Sequence, residues 1–213
     1  MIIVNLPDEY RDKINYFNEL GNYWDESVGN DSTRKDYIRN VFKLISIKEG
    51  DIVVDIGCGN GVLFDIIEEY IRDTGIIYAI DAAPAMIERA SLRHGKYKNI
   101  RYITGLIENA DLPDGSFDIV FCFAVFPHIE DKIETLSRMR SLMKNTGKIY
   151  IFHPSDTKSL NDFHGKLDAP VKFDMLPDKK EMYDLTARSG LRILNYIDRP
   201  GLNFMELGLR ENF

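Results

Sequence analysis

The chain has 213 residues, a formal net charge of −7 and only two cysteines. This length suits one domain with a full hydrophobic core, and two cysteines are too few for a disulfide scaffold or a four-thiolate zinc site. The acidic charge argues against nucleic-acid binding, because such binding draws its affinity from neutralising phosphates. The apolar runs are too short for a membrane span or a signal peptide. We therefore expect a soluble, cytoplasmic protein of one domain, residues 1–213, whose oligomeric state the sequence leaves open.

Predicted helices and strands alternate from the N-terminus onward. Residues 7–47 are expected to be helical, with an apolar stripe at Ile38, Val41, Phe42 and Ile45. The apolar runs that follow predict strands at residues 51–56, 76–81, 100–103, 117–123 and 148–152. Helices are predicted at residues 62–72, 84–93 and 132–143, the last of them ended by the turn Asn145–Gly147. Strands that alternate with helices in this way predict a parallel sheet covered on both faces.

The C-terminal part departs from this alternation. Residues 154–177 are irregular, with one possible short helix, and residues 178–189 predict a helix that ends at Gly190. Two further strands, 191–197 and 204–209, are joined by a very short connection. A connection that short requires an antiparallel hairpin, because a parallel pair needs a longer crossover. The fold class is therefore α/β, with a seven-stranded, mostly parallel sheet, an antiparallel final hairpin and helices on both faces.

The strongest motif is VVDIGCGNGVLFDI at residues 53–66, where a buried strand leads through three glycines into a helix. Glycines at Gly57, Gly59 and Gly61 let the backbone turn tightly and let a ligand approach the main chain. Asp81 ends the next strand, where a carboxylate accepts hydrogen bonds from both hydroxyls of a ribose; capping the following helix is the alternative role. Together these features favour a cofactor that contains a ribose.

Three observations favour S-adenosylmethionine (SAM) over a nicotinamide cofactor. The glycine spacing is G-x-G-x-G, not the G-x-G-x-x-G that places a pyrophosphate at a helix N-terminus. Asp55, directly before the loop, would repel a pyrophosphate but suits an ammonium group. An antiparallel closing hairpin is also unexpected of two parallel mononucleotide-binding halves. A dehydrogenase therefore stays a distant alternative.

Several motifs occur in a family-specific order: VVDIGCGNG, YAIDAAPAMIERA, GLIENADLPDGSFDIVFC, VFPHIED and LSRMRSLMKNTGKIYIF. In these motifs the chain resembles the class I SAM-dependent methyltransferases, in particular the type-11 group that includes ubiquinone/menaquinone-biosynthesis enzymes. The match covers about residues 16–153 by motif and the rest by topology. It implies a Rossmann-like fold with SAM as cofactor and four parts. These are an N-terminal helical cover (1–46), a cofactor core (51–153), a substrate lid (154–177) and a closing helix and hairpin (178–213).

The resemblance also implies which residues contact the cofactor. Asp55 would orient the amino group of the methionine moiety, and Asp81 would bind the ribose hydroxyls. Plain core packing stays open for Met86 and Phe123, because apolar residues in helices and strands are usually core. The implied cofactor-binding residues are Tyr23, Trp24, Asp55, Gly57, Cys58, Gly59, Gly61, Asp81, Ala82, Met86, Leu106, Ile107 and Phe123.

One position departs from the family pattern. The family commonly has Gly-Asp-Ala after the third strand, where the Asp takes the adenine amino group, but this chain has Gly105-Leu106-Ile107. Leu106 cannot accept that hydrogen bond. Either the contact is lost or another acceptor, for example Glu108, replaces it.

Three of the four histidines follow predicted strands or lie in the irregular segment, so they are expected near the cofactor. His128, His153 and His164 are the candidate catalytic residues, since histidine titrates near neutral pH and serves as a general base. Structural roles remain open for each. A metal site formed by these three residues is a less favoured alternative, because their spacing along the chain does not show that they meet, and no metal site is predicted.

The predicted function is transfer of a methyl group from SAM to an oxygen, nitrogen or carbon atom of a small-molecule acceptor. The alternative is a SAM-binding sensor or partner subunit without transferase activity. The apolar residues Phe163, Phe173, Met175 and Leu176 of the 154–177 segment suit a small, partly apolar acceptor.

Overall fold

The structure is a computed structural model that describes residues 8–27 and 32–210, and it describes side chains for residues 10–21 and 34–210. Seven strands and seven α-helices lie in these described ranges. The strands are β1 (Ile52–Ile56), β2 (Ile76–Asp81), β3 (Ile100–Thr104), β4 (Phe117–Phe123), β5 (Met143–His153), β6 (Leu191–Arg199) and β7 (Leu202–Leu209). The helices are α1 (Asp8–Ser27), α2 (Ser32–Phe42), α3 (Phe64–Ile71), α4 (Pro84–His94), α5 (Lys132–Leu142), α6 (Thr157–His164) and α7 (Lys179–Arg188). Within these described ranges, no helix is long and apolar enough to cross a membrane.

The strands form one mixed sheet in the order β3-β2-β1-β4-β5-β7-β6. β1 to β5 are parallel, whereas β7 runs antiparallel to both β5 and β6. The predicted fold class is therefore confirmed. From β1 the chain builds outward through β2 and β3, then returns to place β4 on the other side of β1. Ligands in open α/β sheets bind beyond the carboxyl ends of the strands at such a reversal of strand order.

Apolar side chains cover both faces of the sheet. One cluster joins the predicted stripe of α2 to residues of α3 and of β1, β4 and β5, and it includes Phe42, Phe64 and Phe121. The opposite cluster joins α5 and α7 to the other face of the same strands, through residues such as Leu136 and Met182. A strand that is buried on both faces has no polar side, so β4 is apolar at every position except Asp118.

The prediction for the junction of α5 and β5 was wrong. α5 ends at Leu142 and β5 begins at Met143, so Asn145–Gly147 lies inside the strand and does not end the helix. Met143 pairs with Phe117 and Lys148 with Ile119, which leaves an irregular register opposite Asp118. A Cβ at Gly147 would lie 2.5 Å from Met143 Cγ. Glycine is therefore required here for close packing within a bulged strand.

The final hairpin is longer than predicted. β6 reaches Arg199 and β7 begins at Leu202, so only Pro200 and Gly201 form the turn, with a φ of +81° at Gly201. A two-residue hairpin turn needs such a left-handed conformation, which glycine adopts at little cost.

Removing the N-cap of α7 tests how this C-terminal part is held. The Asp178 side chain accepts a hydrogen bond from the backbone N–H of Glu181, whose own side chain accepts one from the N–H of Asp178. We expect Asp178→Ala to lower the free energy of unfolding by about 1 kcal/mol. Asp184→Ala, which removes an exposed carboxylate of the same helix, should change it by less than about 0.5 kcal/mol. Urea denaturation of both variants checks this, and equal losses would contradict it.

Candidate functional site

A cavity of about 190 Å³ opens at the carboxyl edge of the sheet, where β1 and β4 lie side by side. The loops after β1, β2, β3 and β4 form its floor, and α1 contributes Tyr10, Lys13, Ile14 and Phe17 to its wall. Most of the residues that the sequence singled out line it: Asp55, Gly57, Cys58, Gly59, Asp81, Ala82, Met86, Leu106, Ile107, Phe123 and His128.

The glycines of the loop after β1 have different roles. A Cβ on Gly57 would lie 2.5 Å from Val125 Cγ2, so this glycine allows the loops after β1 and β4 to touch. Gly61 packs in the same way against Phe64 and His94, and it is not among the described residues that line the cavity. Gly59, with a φ of +54°, has no atom within 4 Å of the place where its Cβ would be. The main chain at Gly59 is therefore open to a ligand.

Asp81 bridges two segments of the cavity floor. Its Oδ2 accepts a hydrogen bond of 2.9 Å from the N–H of Gly59, and its Oδ1 accepts one of 2.8 Å from the N–H of Ala83, just before α4. Ala83 is the N-cap residue of α4 and has no side-chain cap hydrogen bond, so the alternative of a capping role for Asp81 is not observed. Each carboxylate oxygen has a second lone pair, so the same group retains capacity for ligand hydroxyls.

The β1 end of the cavity is acidic, and its carboxyl groups are desolvated. Burial raises the pKa of Asp55 well above its usual value, and the neighbouring Asp81 raises it further. Burial also raises the pKa of Asp81 and of the Cys58 thiol. A thiol with a raised pKa stays protonated, so Cys58 is a poor nucleophile. No cationic side chain offsets the raised pKa of Asp55 or Asp81 among the described residues, and this favours a ligand that brings a positive charge and hydroxyl donors.

The loop after β3 forms the neighbouring wall. Ile107 is buried and Leu106 is half-buried, and both line the cavity. Glu108 also lines it, and its carboxylate accepts a hydrogen bond from the hydroxyl of Thr135 on α5. Glu108 thus lines the cavity, and its replacement of the missing Asp stays a prediction. On the neighbouring strand β4, Phe123 lines the cavity and also belongs to the apolar cluster of one sheet face. Cofactor contact and core packing are therefore both compatible with its position.

Several cavity residues come from the N-terminal helices, and the sequence did not single them out. Arg34 of α2 lines the cavity, and burial together with Arg93 lowers its pKa. It brings a guanidinium group, which binds carboxylates, to this cavity. Tyr23 and Trp24 belong to α1, but their side chains lie outside the described residues, so their predicted contacts remain predictions.

Another part of the cavity wall carries a partly buried network of ionisable side chains. His128 Nδ1 lies 2.7 Å from Oδ2 of Asp174, and Lys13 Nζ lies 2.5 Å from Oδ1 of the same carboxylate. Lys13 also pairs with Glu130. His164 Nδ1 is hydrogen-bonded to the main-chain oxygen of Asp174, and its ring centroid lies 5.1 Å from that of His128.

Protonation in this network follows from burial and pairing. Burial lowers the pKa of His128, although Asp174 opposes this effect. Burial alone would raise the pKa of Asp174, but hydrogen bonds from His128 and Lys13 lower it below its usual value. At neutral pH, therefore, His128 is neutral and Asp174 is ionised. A neutral imidazole in a cavity wall accepts a proton.

The other two candidate histidines differ from His128. Neither His153 nor His164 is among the described residues that line the cavity. His153 is fully buried, both its ring nitrogens lack a hydrogen-bond partner in the described part of the chain, and burial lowers its pKa to about 3. The three histidines do lie close together, as the metal hypothesis required. Even so, no group of three or more His, Cys, Asp or Glu side chains in residues 8–27 and 32–210 is arranged to hold a metal ion.

Comparison with known proteins relates this cavity to a family. Residues 54–151 match the family model described as "Methyltransferase domain". A mitochondrial ubiquinone biosynthesis O-methyltransferase of Schizosaccharomyces pombe is 32% identical over 150 residues, which are 65% of this chain and 53% of that protein. The chain thus spans about half the length of the curated relatives it matches.

Solved structures show the same fold. A SAM-dependent methyltransferase from Aquifex aeolicus superposes with a TM-score of 0.70 at 19% identity, covering 91% of this chain and 97% of that one. A complex of DhpI with S-adenosylhomocysteine (SAH) gives a TM-score of 0.71 at 15% identity over 93% of this chain and 96% of that one. At these identities the likeness concerns the fold alone.

The two glycines of the loop should respond differently to substitution. We expect Gly57→Ala to lower the free energy of unfolding by about 2–5 kcal/mol, because the new methyl group meets the stiff Val125 side chain in a left-handed backbone conformation. Gly59→Ala should cost only the backbone strain, about 1–2 kcal/mol. Thermal and urea unfolding of the two variants measures the difference, and a larger loss for Gly59→Ala would contradict it.

Proposed function

Since residues 54–151 belong to the methyltransferase domain family, we propose that the chain is a SAM-dependent methyltransferase that acts on a small-molecule acceptor. The observation that carries this proposal is the cavity at the β1–β4 boundary. There, the open main chain at Gly59 lines the same cavity as the buried carboxyl group of Asp55 and the half-buried one of Asp81. We also propose that residues 1–213 act as one domain, with residues 51–153 as its cofactor core.

The chemistry of this cavity fits SAM. Asp55 would hold the ammonium group, and Arg34, which lines the same cavity, would pair with the carboxylate of the methionine moiety. The second lone pairs of Asp81 would accept the ribose hydroxyls. Met86 and Ile107 would pack against the adenine, with Glu108 as a hydrogen-bond acceptor beside them. When bound, SAM supplies a methyl group that its positively charged sulfur already activates.

The chain's own residues must then align the acceptor, exclude water and take up a proton where the acceptor is a hydroxyl. His128 is the candidate for the last task, because it lines the cavity, is half-buried and has a lowered pKa that keeps it neutral. Proton uptake by a neutral histidine fits an oxygen acceptor, and the relative from Schizosaccharomyces pombe is named an O-methyltransferase. We therefore propose that an oxygen atom is methylated here.

Two segments would cover the acceptor. α1 supplies Lys13 and Phe17 to the cavity wall, and the 154–177 segment contacts His128 through Asp174. Phe173 and Phe163 of that segment are exposed, so the segment carries apolar side chains on its surface. These features support a small, partly apolar acceptor.

A methyl-transfer assay tests the proposed function. Purified protein is incubated with methyl-labelled SAM and pools of hydroxylated small molecules, and SAH formation is measured. We expect acceptor-dependent SAH formation, which His128→Gln lowers about 10²–10⁴-fold through loss of the base. His153→Gln and His164→Gln, which alter side chains beside His128, serve as the comparison and should lower it less.

Binding of SAH without transfer to any acceptor would favour the alternative of a sensor or partner subunit. Absence of SAH binding would remove the assignment altogether. If the His128 variant turns over as fast as the wild type, histidine has no part as the base.

Ligand binding should also release a proton from Asp55. Burial raises the pKa of this carboxyl group in the free protein, whereas an ammonium group beside it would lower the pKa. Between these two pKa values, SAH binding therefore releases a proton, and affinity falls as the pH falls below the raised value. Calorimetry in two buffers of different ionisation enthalpy measures the release. Asp55→Asn should abolish it, the exposed Asp111→Asn should retain it, and its absence in the wild type would refute the proposed contact.

A further inference from the structure

The 154–177 segment delivers one carboxylate to the network of ionisable side chains in the cavity wall. Asp174 is buried there, with one oxygen towards His128 of the loop after β4 and the other towards Lys13 of α1. Its sequence separation from these two partners is large, at 46 and 161 residues. We propose that Asp174 is a positioning residue, which holds His128 in the tautomer that carries its hydrogen on Nδ1 and leaves Nε2 free to accept a proton. This rests on the proposed function, because it assigns the partner of the proposed base.

The main chain around Asp174 is fixed by α6. His164 Nδ1 is hydrogen-bonded to the main-chain oxygen of Asp174, and the Asn161 side chain bonds both the N–H and the oxygen of Leu176, at 2.8 and 3.0 Å. Asp174 N–H in turn donates to the oxygen of Val171. Because the backbone is held on both sides, the carboxylate has little freedom to leave His128.

The tautomer follows from the partners. An ionised carboxylate only accepts hydrogen bonds, so at 2.7 Å the Nδ1 atom of His128 must be the donor. A neutral imidazole carries one hydrogen, and the hydrogen on Nδ1 leaves a lone pair on Nε2. A hydrogen bond to a charged group favours this tautomer by at least about tenfold. His128 also packs edge-on against Phe17 of α1, at 5.0 Å between ring centroids, which restrains the ring orientation.

Because Lys13 contacts Asp174, the effect of the substitution Asp174→Asn on the tautomer of His128 can be predicted. In Asp174→Asn, the amide oxygen would face the Lys13 ammonium group, which only donates hydrogen bonds. The amide NH₂ group would then face His128 Nδ1 and force it to accept. His128 would consequently carry its hydrogen on Nε2, the atom that the proposed reaction needs free. In an acceptor-dependent assay, the same variant should lose about 10²–10⁴-fold in kcat while it still binds SAH.

The tautomer is measured directly by ¹⁵N-resolved NMR of the histidine rings of the full chain, above the pKa of His128 and without SAM or acceptor. Only four histidines contribute signals, so single His→Gln variants assign them. We expect the wild type to show His128 with the hydrogen on Nδ1, and Asp174→Asn to reverse this preference. Asp168→Asn removes an exposed carboxylate of the same segment and should leave the wild-type pattern.

The double variant Lys13→Met with Asp174→Asn distinguishes the hydrogen-bonding role of Asp174 from a nonspecific disturbance of the structure. Without the ammonium group the amide can turn its oxygen towards His128, so the Nδ1–H form should partly return. Wild-type His128 with its hydrogen on Nε2, or an unchanged tautomer in Asp174→Asn, would overturn the proposal. Should Asp174→Asn fail to fold, the wild-type measurement alone decides. Because no cofactor is present, either result is independent of whether SAH binds.

Discussion

The bridge from Asp81 to the N–H groups of Gly59 and Ala83 is the contact around which the cavity is arranged. It joins the loop after β1 to the start of α4. The carboxyl ends of the neighbouring strands β1 and β2 are thereby held in a fixed relation to each other. Its cost is that the desolvated carboxylate of Asp81 lies close to a second one, Asp55, and the two charges repel each other. Hydrogen bonds from the main chain offset part of that cost for Asp81. For Asp55, a cationic ligand would remove this unfavourable electrostatic free energy. Its removal would then contribute to the affinity for that ligand.

The buried carboxyl groups of Asp55 and Asp174 differ in whether the chain supplies them with hydrogen-bond and charge partners. At the β1 end, the raised pKa of Asp55 shows that no positive charge in the described part of the chain stabilises its ionised form in the free protein. For Asp174, the partners come from within the chain, since Lys13 and His128 both bond this carboxylate and lower its pKa. The first arrangement suits binding a charged ligand, and the second suits holding a side chain in one geometry. This contrast is why Asp55 is assigned to the cofactor and Asp174 to the support of His128.

The sequence predicted the parts that depend on local pattern. The apolar strands, the glycine loop, Asp81 and the closing hairpin could be placed because each is specified by residues close together in the chain. The start of β5 could not, because Asn145–Gly147 has the composition of a turn while the packing of Gly147 against Met143 keeps it in the strand. The cavity residues Lys13 and Arg34, and the partner Asp174, were also missed. No local motif marks them, and their roles follow only from folding α1, α2 and the 154–177 segment over the sheet.

The position of Asp174 also bears on how specificity and chemistry are linked. The glycine loop and the proposed base both precede the end of β5 at His153. The carboxylate that orients the base belongs to the more irregular part that follows, and the ammonium group that orients the carboxylate belongs to α1. α1 lines the cavity, and the 154–177 segment contacts the cavity residue His128 through Asp174. Under the proposed roles, the base would reach its working tautomer only when both segments are in place, so formation of the acceptor pocket would also prepare the base.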